Sequence, residues 1–136
     1  MLCASPAYLA ERGEPHTLAD LAGHDLLPYG RNDHGLVWQL PDATGTLVDV
    51  PVASRWRFDD LEVIADAATE NMGVTWLPYW LIRERMQRGE LVELWADRTS
   101  VVMECYAVWP AAQYQPLRSR LAIDALVAGL EKCPAN

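Results

Sequence analysis

The chain has no run of basic residues. Its densest basic patch, Arg83, Arg85 and Arg88, is interrupted by Glu84, closed by Glu90, and reads as a solvated helix face. Against 11 Lys and Arg stand 19 Asp and Glu, a net charge of −8. A nucleic-acid surface must neutralise phosphates, so this balance excludes DNA binding by the segment itself. No apolar stretch approaches the roughly 20 residues that cross a bilayer. The start shows no basic leader followed by an apolar stretch, and a cytoplasmic location is expected. Cysteine is scarce: Cys3, Cys105 and Cys133 are odd in number and unrelated in spacing, which fits reduced thiols. Ser5 lies in no Gly-x-Ser-x-Gly elbow, there is no phosphate loop, and His16, His24 and His34 sit in loops without a companion Cys at ligand spacing. No catalytic residue, metal or cofactor is expected. There is no internal repeat and no low-complexity tract.

What is present is a chain of 136 residues, 51% apolar and 22% charged, enough for one packed domain. Ser5 followed by Pro6 opens a helix to about Arg12. Thr17 caps a second short helix ending at Gly23. "DLLPYG" reads as a strand broken at Pro28 and Gly30. "LVWQL" and "TLVDVPV" read as strands around the turn "PDATG". "SRWRF" alternates Arg55 and Arg57 with Trp56 and Phe58, a strand with one wet face. The period then changes. Asp59 and Asp60 begin a helix carrying Leu61, Ile64, Ala65, Ala68 and Met72 at helical spacing, ended by Gly73. "VTWL" is a strand stopped by Pro78. "YWLIRERMQRG" is a helix with Leu81, Ile82 and Met86 inward. "ELVEL" is a strand, "SVVMECYAVWP" a longer one, and a last helix runs from about Pro116 to Lys132. The order β-α-β-α-β over residues 52 to 94 specifies parallel strands with crossover helices, an α/β fold.

"SRWRFDDLEVIADAATENMGVTWLPYWLIRERMQRGELVEL" resembles the second half of the effector-binding domain of LysR-type transcriptional regulators. Asp59-Asp60 match the helix start, Gly73-Val74 its end, Leu77-Pro78 the strand end, and Gly89-Glu90-Leu91-Val92 the close. "CASPAYLAERGEPHTLADLAGHDLL" is similar to the segment after the first interdomain crossover, and "CYAVWP" to the return. Asn71-Met72-Gly73 depart from the family's usual Gly-x-Gly. The resemblance implies a periplasmic-binding-protein-like (type 2) lobe with a parallel-rich mixed sheet, within an incomplete two-lobed domain. Residues 5 to 100 would be the second lobe, and 1 to 4 and 101 to 136 the crossovers to the first. No helix-turn-helix is recognised, so DNA would be reached only through a segment absent from this chain.

The implied function is effector sensing for transcription regulation, with a small molecule in an interlobe cleft. The alternative is a binding protein or enzyme on the same scaffold. Ligands of open α/β sheets bind beyond the carboxyl ends of the strands. Tyr29, Gly30, Phe58, Asp59, Pro78 and Tyr79 are therefore expected on one concave wall. Ser5 is a further ligand-binding candidate through its helix N-terminus. Arg31 or Arg57 would read the carboxylate of an organic acid bidentately. The apolar stripe of the terminal helix and the free edge of the strand Val101 to Trp109 lead us to expect self-association.

Overall fold

The structure is a computed structural model that describes residues 1–30, 36–98, 106, 108 and 116–130. The chain divides into two compact units, Met1–Val101 and Val102–Asn136. Arg31, His34, Cys105, Trp109, Cys133 and most of the expected strand from Val101 lie outside the described residues.

In the first unit, strand β1 (Leu2–Ala4) leads into helix α1 (Pro6–Arg12). Ser5 caps α1 as its sequence predicts, its hydroxyl accepting the Tyr8 N–H at 3.2 Å. A 3₁₀ turn (Asp20–Gly23) follows where an α-helix was expected. The Asp20 carboxylate takes the N–H groups of His16 and Thr17, and Thr17 Oγ1 takes that of Asp20. Leu18 and Leu21, three apart, need only the tighter turn to face inward. Strands β2 (Leu36–Pro41) and β3 (Leu47–Val52) pair as an antiparallel hairpin around Asp42, whose carboxylate accepts the N–H groups of Thr44 and Thr46. Helix α2 (Leu61–Thr69) is capped by Asp60 on the N–H groups of Glu62 and Val63. Strand β4 (Thr75–Trp76), helix α3 (Tyr79–Gln87) and strand β5 (Val92–Leu94) complete the unit.

The main sheet has the order β4-β1-β5, with β1 antiparallel to both neighbours. Its parallel part is carried by two isolated bridges, Leu26 to Val74 and Tyr29 to Phe58. The expected strands at 25–30 and 54–58 are thus reduced to single bridges. Pro28, between Leu26 and Tyr29, has no N–H for a continuous ladder. At 54–58 the Ser54 hydroxyl bends the chain, donating to the Leu26 carbonyl and accepting the Trp56 N–H.

All three residues of β1 are buried, and they alternate between two cores. Leu2 and Ala4 join Tyr8, Leu26, Trp38, Leu40 and Val74 on the α1 and hairpin side. Cys3 joins Leu27, Ile64, Ala68, Leu77 and Ile82 on the α2 and α3 side. A strand covered on both faces carries no alternation of polarity, so "LCA" gave no strand signal and was read only as crossover. Arg85 ties α3 to α2, its guanidinium 3.1 Å from Glu62 and paired also with Asp66.

Helix α2 ends at Thr69, not at Gly73, and the left-handed residue that turns the chain is Asn71, with φ +64°. Gly73 serves another need. A Cβ there would overlap the Asp25 carbonyl oxygen, which accepts the Val74 N–H at 2.8 Å. Only glycine lets the two backbones pass this closely. In the second unit, helix α4 (Leu117–Leu130) exposes Leu117, Leu121, Leu126 and Val127.

Candidate functional site

The register of the sheet decides which predicted residues meet. Segments 26–29, 56–58 and 74–76 run parallel, so Gly30, Asp59 and Pro78 emerge at one end. The Gly30 N–H donates to the Phe58 carbonyl at 2.9 Å, locking the first two exits together. β1 runs the other way, so its start meets the exit of β4, where Leu77 N–H donates to the Met1 carbonyl at 2.9 Å. Tyr29, Gly30, Phe58, Asp59, Pro78 and Tyr79 therefore share one end of the sheet. Tyr29 is 49% exposed there, and Trp80 on the first turn of α3 is 67% exposed. Helix α3 starts at Pro78 without a side-chain cap. Its first-turn N–H groups give this end partial positive charge. The Asp60 carboxylate is spent on the α2 cap.

Ser5 stands apart from this group. Because β1 is antiparallel, Ser5 lies at the opposite end, 2% exposed, its hydroxyl donating to Asn71 Oδ1 at 2.6 Å. The Ser5 end is a polar network. The Tyr8 hydroxyl accepts the Asp25 N–H at 3.0 Å and meets His24 Nδ1 at 3.2 Å. Burial, and then the Arg12 charge, hold the His24 imidazolium below its usual range. Arg12 pairs with Asp25 at 2.8 Å, and Arg55 approaches the same carboxylate at 3.6 Å. Nothing in the sequence marked this cluster, because its members come from four segments with no common spacing.

Among the described residues no group of three or more His, Cys, Asp or Glu side chains could hold a metal. The Cys3 thiol is pushed up to about 12 by burial, which leaves it an unreactive core side chain. Arg57 is exposed beside the wall residue Phe58; Arg31 lies outside the described residues. A concavity of about 260 Å³ beside Asp42, Thr44 and Arg98, and one of about 210 Å³ at the Ser5 end, include none of the wall residues. We call the Gly30, Asp59 and Pro78 end the wall.

A mixed sheet with helices on both faces and a wall at its strand exits defines an α/β lobe of the type 2 periplasmic-binding-protein kind. The model of the LysR substrate binding domain matches residues 1–131, and the chain belongs to that family. It is 27% identical over 129 residues to the probable HTH-type transcriptional regulator LtrA of Klebsiella pneumoniae, covering 93% of this chain and 41% of that protein. It is 30% identical over 128 residues to the HTH-type transcriptional regulator DmlR of Escherichia coli K12, covering 93% and 38%. The regulatory domain of AphB from Vibrio vulnificus, treated with cumene hydroperoxide, superposes with a TM-score of 0.69 at 28% identity, over 94% of this chain and 63% of that one. The chain thus spans about two fifths of the length of the curated relatives it matches.

Proposed function

We propose that this chain is the second lobe, with its crossover elements, of the effector-sensing domain of a LysR-type transcriptional regulator. The observation that carries the reading is the wall: three parallel segments bring Tyr29, Phe58 and Pro78 to one sheet end, with exposed aromatic rings and the uncapped start of α3 beside them. A wall binds tightly only against an opposing surface, so the effector sits between this lobe and the rest of the domain. Its binding shifts the population of lobe arrangements, and the DNA-binding part responds. The effector is a small organic acid, with Arg57 or Arg31 pairing its carboxylate. Net charge −8 keeps this segment off phosphate, and DNA contact belongs to another part of the regulator. Helix α4, with Leu117, Leu121, Leu126 and Val127 exposed, is covered by a second copy or by the remainder of the domain.

The test is a thermal-shift screen of small aromatic and aliphatic acids on the full-length regulator. An effector at about one hundred times its Kd should stabilise the protein by about 2.7 kcal/mol. Tyr79→Ala should remove that shift while leaving operator binding intact. A hit whose shift survives Tyr29→Ala, Tyr79→Ala and Arg57→Ala together would place the effector elsewhere.

A further inference from the structure

The Ser5 end of the sheet carries a concavity of about 210 Å³, separate from the wall at the strand exits. Tyr8 and Arg12 of α1, Asp25, Arg55, Trp56 and Asn71 line it. We propose that it is a second small-molecule site, taking a zwitterion of amino-acid size.

The charges there are arranged but not closed. Arg12 is committed to Asp25 at 2.8 Å. Arg55 is not: it stands 3.6 Å from the other oxygen of the same carboxylate and is 72% exposed. What positions Arg55 is the Trp56 ring, whose centroid lies 5.2 Å from its guanidinium carbon. This leaves a pre-placed guanidinium facing the concavity with most of its donors unused. Asn71 supplies a second donor with a fixed aim. The Ser5 hydroxyl donates to Asn71 Oδ1 at 2.6 Å while its Oγ accepts the Tyr8 N–H. The Asn71 Nδ2 fork is thereby turned away from the buried serine. Asn71, with φ +64°, also lines the concavity. Arg55 and Asn71 both line the concavity, and in the proposed site they are the donors to the carboxylate.

The opposite requirement is met on α1. Glu11 also lines the concavity and makes no ion pair among the described residues. With Arg12 and Arg55 balanced by Asp25 and Glu11, the site is formally neutral and bipolar. A zwitterion meets both signs, its carboxylate at Arg55 and its ammonium at Glu11. Trp56 and Met72 supply the apolar floor. Trp56 Nε1–H is buried without an acceptor among the described residues. The volume is below the roughly 300 Å³ at which drug-sized pockets begin, which fits a single amino acid.

The experiment is a titration of the 136-residue chain with L-leucine, followed by ¹H–¹⁵N correlation spectra. L-Leucinamide, which lacks the carboxylate, and 4-methylpentanoate, which lacks the ammonium, are the comparators. Saturable shifts are expected at the Trp56 indole and the Asn71 backbone amide. Each comparator should bind about tenfold or more weakly, as should Arg55→Ala and Glu11→Gln. Asn71→Gly keeps the left-handed backbone and removes the amide, so it should weaken binding by a similar factor without unfolding the lobe. Equal affinity for 4-methylpentanoate would overturn the zwitterion assignment. The absence of a saturable shift at Trp56 in a spectrum that is otherwise folded would overturn the site. Neither outcome bears on the effector wall, which shares none of these residues.

Discussion

The two ends of the main sheet are built from the same strands and are opposites in chemistry. At the Ser5 end several polar groups are spent on one another, Ser5 on Asn71, Tyr8 on His24 and Asp25, and Asp25 on Arg12 and Val74, while Arg55 and Glu11 stay open at the rim. At the Gly30 end the ties named among the described residues are backbone ones, Gly30 to Phe58 and Leu77 to Met1, while Tyr29 and Trp80 are exposed. Interlocked polar groups hold an end together, since each loss strands a buried partner. Outward aromatics hold little and offer much to a partner. Stability should therefore reside at the Ser5 end and the effector response at the other.

The largest expected effect is that of Gly73→Ala. The new methyl would strike the Asp25 carbonyl, a backbone atom that cannot withdraw without breaking its bond to Val74. A loss of about 3 kcal/mol is expected from overpacking and the lost bridge. Urea unfolding gives the value; a loss under about 0.5 kcal/mol would mean the two backbones are not in contact. Ser5→Ala comes next. It removes the α1 cap and the bond to the exposed Asn71, at a cost of about 1 kcal/mol in the same assay.

How much of this contrast could be read in the sequence depends on how local each signal was. Ser5-Pro6 announced α1, Asp59-Asp60 announced α2 with the cap falling on the second of them, and "PDATG" announced the hairpin turn, because caps and turns are satisfied by residues within a few positions. The order of elements put Tyr29, Phe58 and Pro78 after strands, and strand order fixes which exits share an end. What escaped was set by distant partners. β1 sits centrally and antiparallel, which a buried three-residue strand does not disclose, and that reversal is why Ser5 separates from the wall. Gly73 looked like a helix stop, whereas its need arises from Asp25, far along the chain. The Arg12, Asp25 and Arg55 cluster had no motif at all.

A smaller effect should follow pH. The His24 imidazole is held below its usual value of 6.5 by burial and then by Arg12. As pH falls through about 6.5 the unfolded chain binds the proton first, so stability is complete above that value and declines as pH drops toward the folded value. Protonation also gives Nδ1 a hydrogen facing the Tyr8 hydroxyl, which already accepts from Asp25. Glu93, raised by burial, acts with the opposite sign at lower pH, because its folded form takes up a proton first. His24→Gln should flatten the urea midpoint between pH 7.5 and 5.5. An unchanged slope in that variant would remove His24 from the account.

The smallest effect on stability should come from the wall itself, and there smallness is the informative result. Tyr79 begins α3 without a cap to lose, and Tyr29 is half exposed, so neither truncation opens a sealed core cavity. Tyr29→Ala and Tyr79→Ala should each cost about 0.5 kcal/mol or less in urea. If the proposed effector site is right, the same substitutions should abolish the effector-dependent change in operator binding in the full-length regulator. The double variant should remain additive in stability, the two side chains belonging to different segments. If instead both cost as much as Ser5→Ala while the effector response persists, the outward rings are packing surface. The division of labour between the two ends of the sheet would then be reversed.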